Sequence, residues 1–177
     1  MHTKKSMAEL GRLSPADFKS AKKVPLSLVL NDIRSANNVG SIFRTADGLA
    51  LTHVYLCGIT ATPPHRDILK TALGATAAVS WSYHEDCAAL VAKLKAEGTA
   101  VYALEQTHDS LRLSDFTVPA ARPLAVVLGN EVNGVAQEVI DLCDGAIEIE
   151  QFGTKHSFNV AVATGMVGYK LSRDMRR

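Results

Sequence analysis

The stretch IEIEQFGTKHSFN, Ile147 to Asn159, runs straight into the apolar VAVATGMVGYK, Val160 to Lys170, and its reading decides the fold. Ala146–Ile149 reads as a strand, Gly153 as a turn, and Ser157 with Asn159 as the entry to a helix from about Asn159 to Arg173. Val160, Ala161, Val162, Ala163, Met166 and Val167 leave that helix almost no polar face, so it must be buried on most sides. In a chain of 177 residues this points to a subunit interface, with Ala161, Gly165 and Gly168 letting a second backbone come close. Ser157 is by default the N-cap. His156 beside it does not signal a hydrolase, because neighbouring residues point in different directions and no G-x-S-x-G elbow is present.

Two other segments also join a strand-like run to a glycine or asparagine turn: NNVGSIFR (Asn37 to Arg44) and LGNEVNG (Leu128 to Gly134). In open α/β folds, ligands sit where a parallel sheet hands its chain to such loops. Asn38 and Arg44 lie six positions apart on a turn and a helix reaching about Leu51, read as roughly one side of that helix and able to address one ligand. Gly40 allows a ligand or a neighbouring backbone to approach closely. The alternative is that Asn37 and Asn38 cap the helix while Arg44 pairs with Asp47. LGNEVNG has the outer glycines of a P-loop, but Val135 and Ala136 stand where lysine and serine or threonine belong. The fingerprint G-x-G-x-x-G is also absent, which disfavours nucleoside triphosphate and dinucleotide chemistry. Glu131, between Asn130 and Asn133, either orients a cationic group or a ribose hydroxyl, or merely sits favourably near a helix N-terminus.

Outward from these segments, apolar β-rich runs alternate with helical patterns. Strands are expected at Leu26–Leu30, His53–Cys57, Val79–Tyr83, Thr99–Leu104, Leu124–Leu128 and Ala146–Ile149. Between Val79–Tyr83 and Thr99–Leu104, Cys87, Leu90, Val91 and Leu94 recur on one face of a helix over His84–Glu97, which Gly98 stops. Ser14-Pro15-Ala16-Asp17 predicts a short leading helix to about Lys22, ended by Pro25. The pattern predicts an α/β fold, a parallel sheet flanked by helices, with LSLVL and LAVVL as strands buried on both faces.

Composition bounds the rest. A content of 47% hydrophobic residues suits one compact domain with its own core. The longest apolar runs fall short of the roughly 20 residues a spanning helix needs, and MHTKKSMAEL lacks a signal-like apolar core, so a cytoplasmic protein with no membrane partner is expected. Cys57, Cys87 and Cys143 form neither a disulfide framework nor a zinc motif, and no metal is expected. Residues 1–25 carry a local balance of +4 and residues 170–177 of +3, which leaves about −6 for the remainder of a chain whose total is +1. Basic ends on an acidic body either carry an RNA backbone or are simply solvated tails.

Taken in order and spacing, these residues resemble the SpoU branch of the SPOUT RNA methyltransferases, the TrmH-like ribose 2′-O-methyltransferases, over about Leu26 to Leu171. Asn38 and Arg44 match the first motif, and Gly129 to Gly134 matches G-N-E-x-x-G. S-F-N-V-A-V-A from Ser157 matches the third motif, with Gln151-Phe152 replacing proline-methionine and Phe158 replacing leucine. These departures are read as changes to the walls of a cofactor pocket rather than to its hydrogen-bonding groups.

The resemblance implies a C-terminal deep trefoil knot, a rare exception to the rule against knots. A homodimer through the last helix is also implied, with S-adenosylmethionine as cofactor. Residues 1–24 would then be a basic extension with a short helix and residues 25–177 the methyltransferase domain. Gly129, Ile149 and Phe158 are expected to line the adenosine pocket, with Leu104, Asn130 and Asn159 close by. The implied activity is methyl transfer to a ribose 2′-hydroxyl of tRNA or rRNA, with a lean to a tRNA guanosine in the D-loop. Arg44 acts either as a transiently deprotonated base or as a phosphate-binding cation; Asn38 orients it or the ribose. Glu131 fixes the geometry, and Ser157 with Asn159 secures the third turn. The competing reading is a non-catalytic RNA-binding module that keeps the fold.

Overall fold

All seven strands pair parallel, in the order β3-β2-β1-β6-β4-β7-β5, in a computed structural model that describes residues 2–6, 8–120 and 122–177. They are β1 (Val24–Asn31), β2 (Leu51–Cys57), β3 (Trp81–His84), β4 (Ala100–Leu104), β5 (Leu111–Arg112), β6 (Leu124–Leu128) and β7 (Gly145–Glu148). The helices are α1 (Pro15–Ser20), α2 (Ala36–Gly48), α3 (Arg66–Ala72), α4 (Ala75–Ala78), α5 (Cys87–Ala96), α6 (Gln137–Leu142) and α7 (Val160–Asp174).

LAVVL forms the central β6 because every one of its residues is apolar and every one is buried. Leu124, Val126 and Leu128 face one side with Leu26, Leu28 and Leu30 of β1, covered by Ile42 and Phe43 of α2 and by Val167 and Leu171 of α7. Ala125 and Val127 face the other side, under Leu90, Val91 and Leu94 of α5 and Val139 of α6. From β1 the chain builds outward to β2 and β3, then crosses to place β4, β6, β7 and β5 on the other side. In open α/β sheets with such a reversal, ligands bind at the C-terminal ends of the strands.

Several local expectations shift for identifiable reasons. Pro25 does not end the leading helix, which stops at Ser20; it lies inside β1, where the register with β2 slips between Val24 and Ser27. A residue without an N–H is tolerated in a strand at such an irregularity. The helix expected from His84 begins at Cys87, because the Asp86 carboxylate accepts the Ala89 N–H at 3.0 Å and leaves His84 in β3. Helix α2 ends at Gly48 rather than Leu51, which already belongs to β2. Of the basic extension, Met1 and Met7 lie outside the described residues; its helix α1 is capped by Ser14 and buries Phe18 in the main core. Helix α7 is buried on one face only, since Val162, Met166 and Tyr169 remain exposed. Gly168 on the buried face meets Leu49 of the same chain, so it is not free for a second backbone, whereas Gly165 faces open space.

Gly40 shows how tightly α2 and α3 pack. A Cβ there would overlap the Ile68 carbonyl oxygen and Thr71 Oγ1 of α3. Gly40→Ala must therefore push α3 away, and overpacking of this kind costs about 1–3 kcal/mol. A lower urea midpoint at unchanged denaturant slope is the expected result, and equilibrium unfolding checks it.

Candidate cofactor cleft and nucleic-acid interface

The loops leaving β4, β6 and β7 surround a cleft of about 1360 Å³. Each loop is held by side chains that satisfy backbone groups left unpaired where the strands end. After β6, Asn130 and Gly134 exchange two backbone hydrogen bonds of 2.9 Å, closing the turn on itself. Gly129 is obligatory there, because a Cβ would overlap the Gly134–Val135 backbone. Asn130 Oδ1 accepts from the N–H groups of Val132 and Asn133, and its amide donates to the Asp32 carbonyl at 2.7 Å. The Asn130 side chain thus builds the loop and ties it to β1.

Glu131 reaches across to the start of α2. Its carboxylate accepts the backbone N–H of Arg34 at 2.8 Å, that of Ser35 at 3.0 Å and Asn38 Nδ2 at 3.0 Å. Burial pushes its pKa up, but the bonds from Arg34, Asn38 and Ser35 outweigh that and hold the carboxyl below its ordinary value. Asn38 Oδ1 in turn accepts from Asn159 Nδ2 at 3.2 Å, so Glu131, Asn38 and Asn159 form one chain linking the three sequence segments. Asn159, not Ser157, is the N-cap of α7, its Oδ1 accepting from Ala161 and Val162. Ser157 lines the cleft instead.

Leu104, Gly129, Asn130, Ile149, Phe158 and Asn159 all border this cleft. Arg44 does not. Six residues of an α-helix turn the chain to about 120° from its starting side, so Asn38 faces Glu131 while Arg44 lines a separate groove with Ser41, Thr45, Lys70, Thr71 and Leu73. The alternative pairing of Arg44 with Asp47 is not among the ion pairs of the described residues. Phe152 is 92% exposed and is no pocket wall. Gln151 does more than shape the wall, for its amide and that of Gln106 both donate to the His156 carbonyl, at 3.2 and 2.8 Å.

Glu105, which sequence reasoning passed over, also belongs to the site. It follows β4 directly, and its carboxylate accepts the N–H groups of Val135 at 3.0 Å and Gln106 at 2.9 Å. Position just past a buried strand was the available signal. With it, the cleft is lined by six carboxylates, Glu105, Asp109, Glu131, Asp141, Asp144 and Glu148, and by no lysine or arginine among the described residues. Of the six, Asp144 has an ion-pair partner, Lys95 at 3.1 Å. Such walls favour a cation and repel a polyanion.

The sequence model of the SpoU rRNA Methylase family matches residues 25–169. The chain belongs to this family. A tRNA (guanosine(18)-2'-O)-methyltransferase of Escherichia coli K12 is 30% identical over 155 residues, 86% of this chain and 66% of that protein. The A. aeolicus TrmH/SpoU tRNA modifying enzyme superposes with a TM-score of 0.79 at 22% identity, over 92% of this chain and 80% of that one. The AdoMet-bound rRNA methyltransferase of Sinorhizobium meliloti does so with a TM-score of 0.79 at 24% identity, over 92% and 61%. The SpoU chain described here therefore spans about two thirds of the length of the Escherichia coli relative. Its parallel sheet with flanking helices is the fold of these two solved structures.

Because the folded-state pKa of Glu131 is depressed, its contribution to stability is complete above the unfolded value of about 4.3 and is lost as pH falls through the folded value. Glu131→Gln should therefore lower the urea midpoint at neutral pH. The gap to the wild type should close as the buffer is taken below about pH 4. Urea titrations of both proteins across that window check the sign.

Proposed function

We propose that this SpoU protein transfers a methyl group from S-adenosylmethionine to a ribose 2′-hydroxyl of RNA. The observation that carries the reading is the carboxylate-lined cleft beside the Glu131–Asn38–Asn159 chain, which suits a cationic cofactor. Leu104, Ile149 and Phe158 offer apolar walls for an adenine ring, and Gly129 keeps the floor low. When bound, the cofactor supplies an electrophilic methyl on a sulfonium, whose departure as a neutral thioether needs no metal. The protein's own task is to place the ribose hydroxyl in line and to deal with its proton.

Glu131 is a poor proton acceptor, since its three donors favour the carboxylate. Its role is to fix the start of α2, and with it Asn38, whose two amide ends are both engaged. Arg44 is exposed and shares its groove with Lys70, away from the cleft that would hold the methyl donor. It therefore acts as a phosphate-binding cation that holds the RNA backbone, rather than as a base in the cleft.

The relatives act on both RNA classes by name, a tRNA guanosine in Escherichia coli and rRNA in Sinorhizobium meliloti. A tRNA guanosine in the D-loop remains the favoured target, and mapping the methylated nucleotide in total RNA decides it. A C-terminal trefoil knot is supported by the course of residues 149–159. This segment borders the cleft with the loops after β4 and β6, is gripped at His156, and leads to α7, which packs back on α2 and β1. A homodimer is supported by Val162, Met166 and Tyr169, exposed at i, i+4 and i+7 on α7. A cytoplasmic location accords with the absence, among the described residues, of any helix long and apolar enough to cross a membrane.

Arg44→Ala, by releasing the phosphate that positions the ribose, should lower methyl transfer from radiolabelled S-adenosylmethionine by about 100-fold and leave calorimetric cofactor binding intact. Retained turnover would exclude the role given to Arg44. A wild-type protein that binds RNA without transferring label would establish the non-catalytic reading. Light scattering should give twice the mass of one chain, and Val162→Asp with Met166→Asp should halve it.

A further inference from the structure

Between α2 and α3 lies a second groove, of about 580 Å³, lined by Ser41, Arg44, Thr45, Lys70, Thr71 and Leu73. Given RNA as the substrate, we infer that this groove seats the RNA backbone, with Lys70 contacting a phosphate beside the one held by Arg44.

The inference rests first on charge. Both cations line one groove that contains no carboxylate, and neither belongs to an ion pair among the described residues. The cleft walled by Glu131 and Asn159, which hold Asn38, has the opposite composition, six carboxylates without a lysine or arginine. A polyanion whose ribose enters that cleft must lay its phosphates outside it, and this groove is reached along the same helix. Asn38 and Arg44 are six residues apart, about 9 Å along the axis.

The second support is rigidity. Lys70 is near Arg44 because α3 is pressed on α2 at Gly40, where no side chain fits. Thr71, next to Lys70, donates from Oγ1 to the Asn37 carbonyl at 2.9 Å, one residue from Asn38. The element that carries Lys70 is therefore bonded to the turn that carries Asn38, and phosphate seat and ribose site move as one body. The planar Arg44 fork suits bidentate contact with a phosphodiester, while the Lys70 ammonium serves as a point charge.

Lys70 is an exposed side chain, so its replacement leaves the core untouched. Fluorescence anisotropy with labelled unfractionated tRNA, over a potassium chloride series, tests the inference on wild type, Lys70→Ala, Lys70→Glu and Lys70→Arg. Lys70→Ala should bind about fivefold more weakly near 100 mM salt, and its slope of log K against log salt should be shallower by about 1. Lys70→Glu should be weaker still, and Lys70→Arg should restore both affinity and slope. The KM for tRNA should rise in Lys70→Ala while calorimetric affinity for S-adenosylmethionine is unchanged. Wild-type affinity and slope in both Lys70→Ala and Lys70→Glu would overturn the phosphate seat. Absence of methyl transfer by the wild type would instead overturn the proposed activity, and the binding slopes would still decide on Lys70.

Discussion

The Glu131 carboxylate is the contact on which the site depends. It is carried by the loop after β6, yet its three donors belong to the first residues of α2 and the turn before them, Arg34, Ser35 and Asn38. Backbone N–H groups at a helix start have no partner within the helix, and a negative charge there is favourable on two counts. One side chain thus satisfies orphan donors, fixes where α2 begins and sets the distance between two loops that are far apart in sequence. Asn130, its neighbour, repeats the device by bonding the Asp32 carbonyl at the end of β1. Glu105 does the same from β4 to the turn at Gly134 and Val135.

Around these clasps the molecule separates its charges. One end of α2 is bonded through Asn38 to Glu131 and Asn159 in the wall of a carboxylate-lined cleft, while Arg44, farther along the helix, lines a basic groove shared with Lys70. A near-neutral formal charge of +1 hides this division. The division also answers what the basic ends do, at least in part. Lys170 bonds the Phe116 carbonyl and pairs with Asp174, and Arg176 donates to the Leu49 carbonyl, so those two cations brace α7 against the body of the domain.

Much of this was legible in the chain itself. β6 and β1 announced themselves as apolar runs, α5 by its heptad-like spacing of Cys87, Leu90, Val91 and Leu94, and α7 by the apolar run from Val160 to Ala163. What stayed hidden has physical reasons. β5 is two exposed residues, and α3, α4 and α6 are seven, four and six residues long, too short to display a period. In the site, the six residues that the resemblance assigns to a cofactor pocket all border one cleft, but Glu105 went unread because its main tie is to Val135, thirty residues away. Arg44 was misplaced for a simpler reason: six helical steps do not return to the starting side. Ser157 lost the capping role to Asn159, because the helix begins two residues later than the hydroxyl can serve.

The carboxylates of the cleft also bear on turnover. A sulfonium donor carries one positive charge more than the thioether left behind, so walls of this composition grip the fresh cofactor more strongly than the spent one. For such a donor, the exchange of old for new is thereby biased by electrostatics.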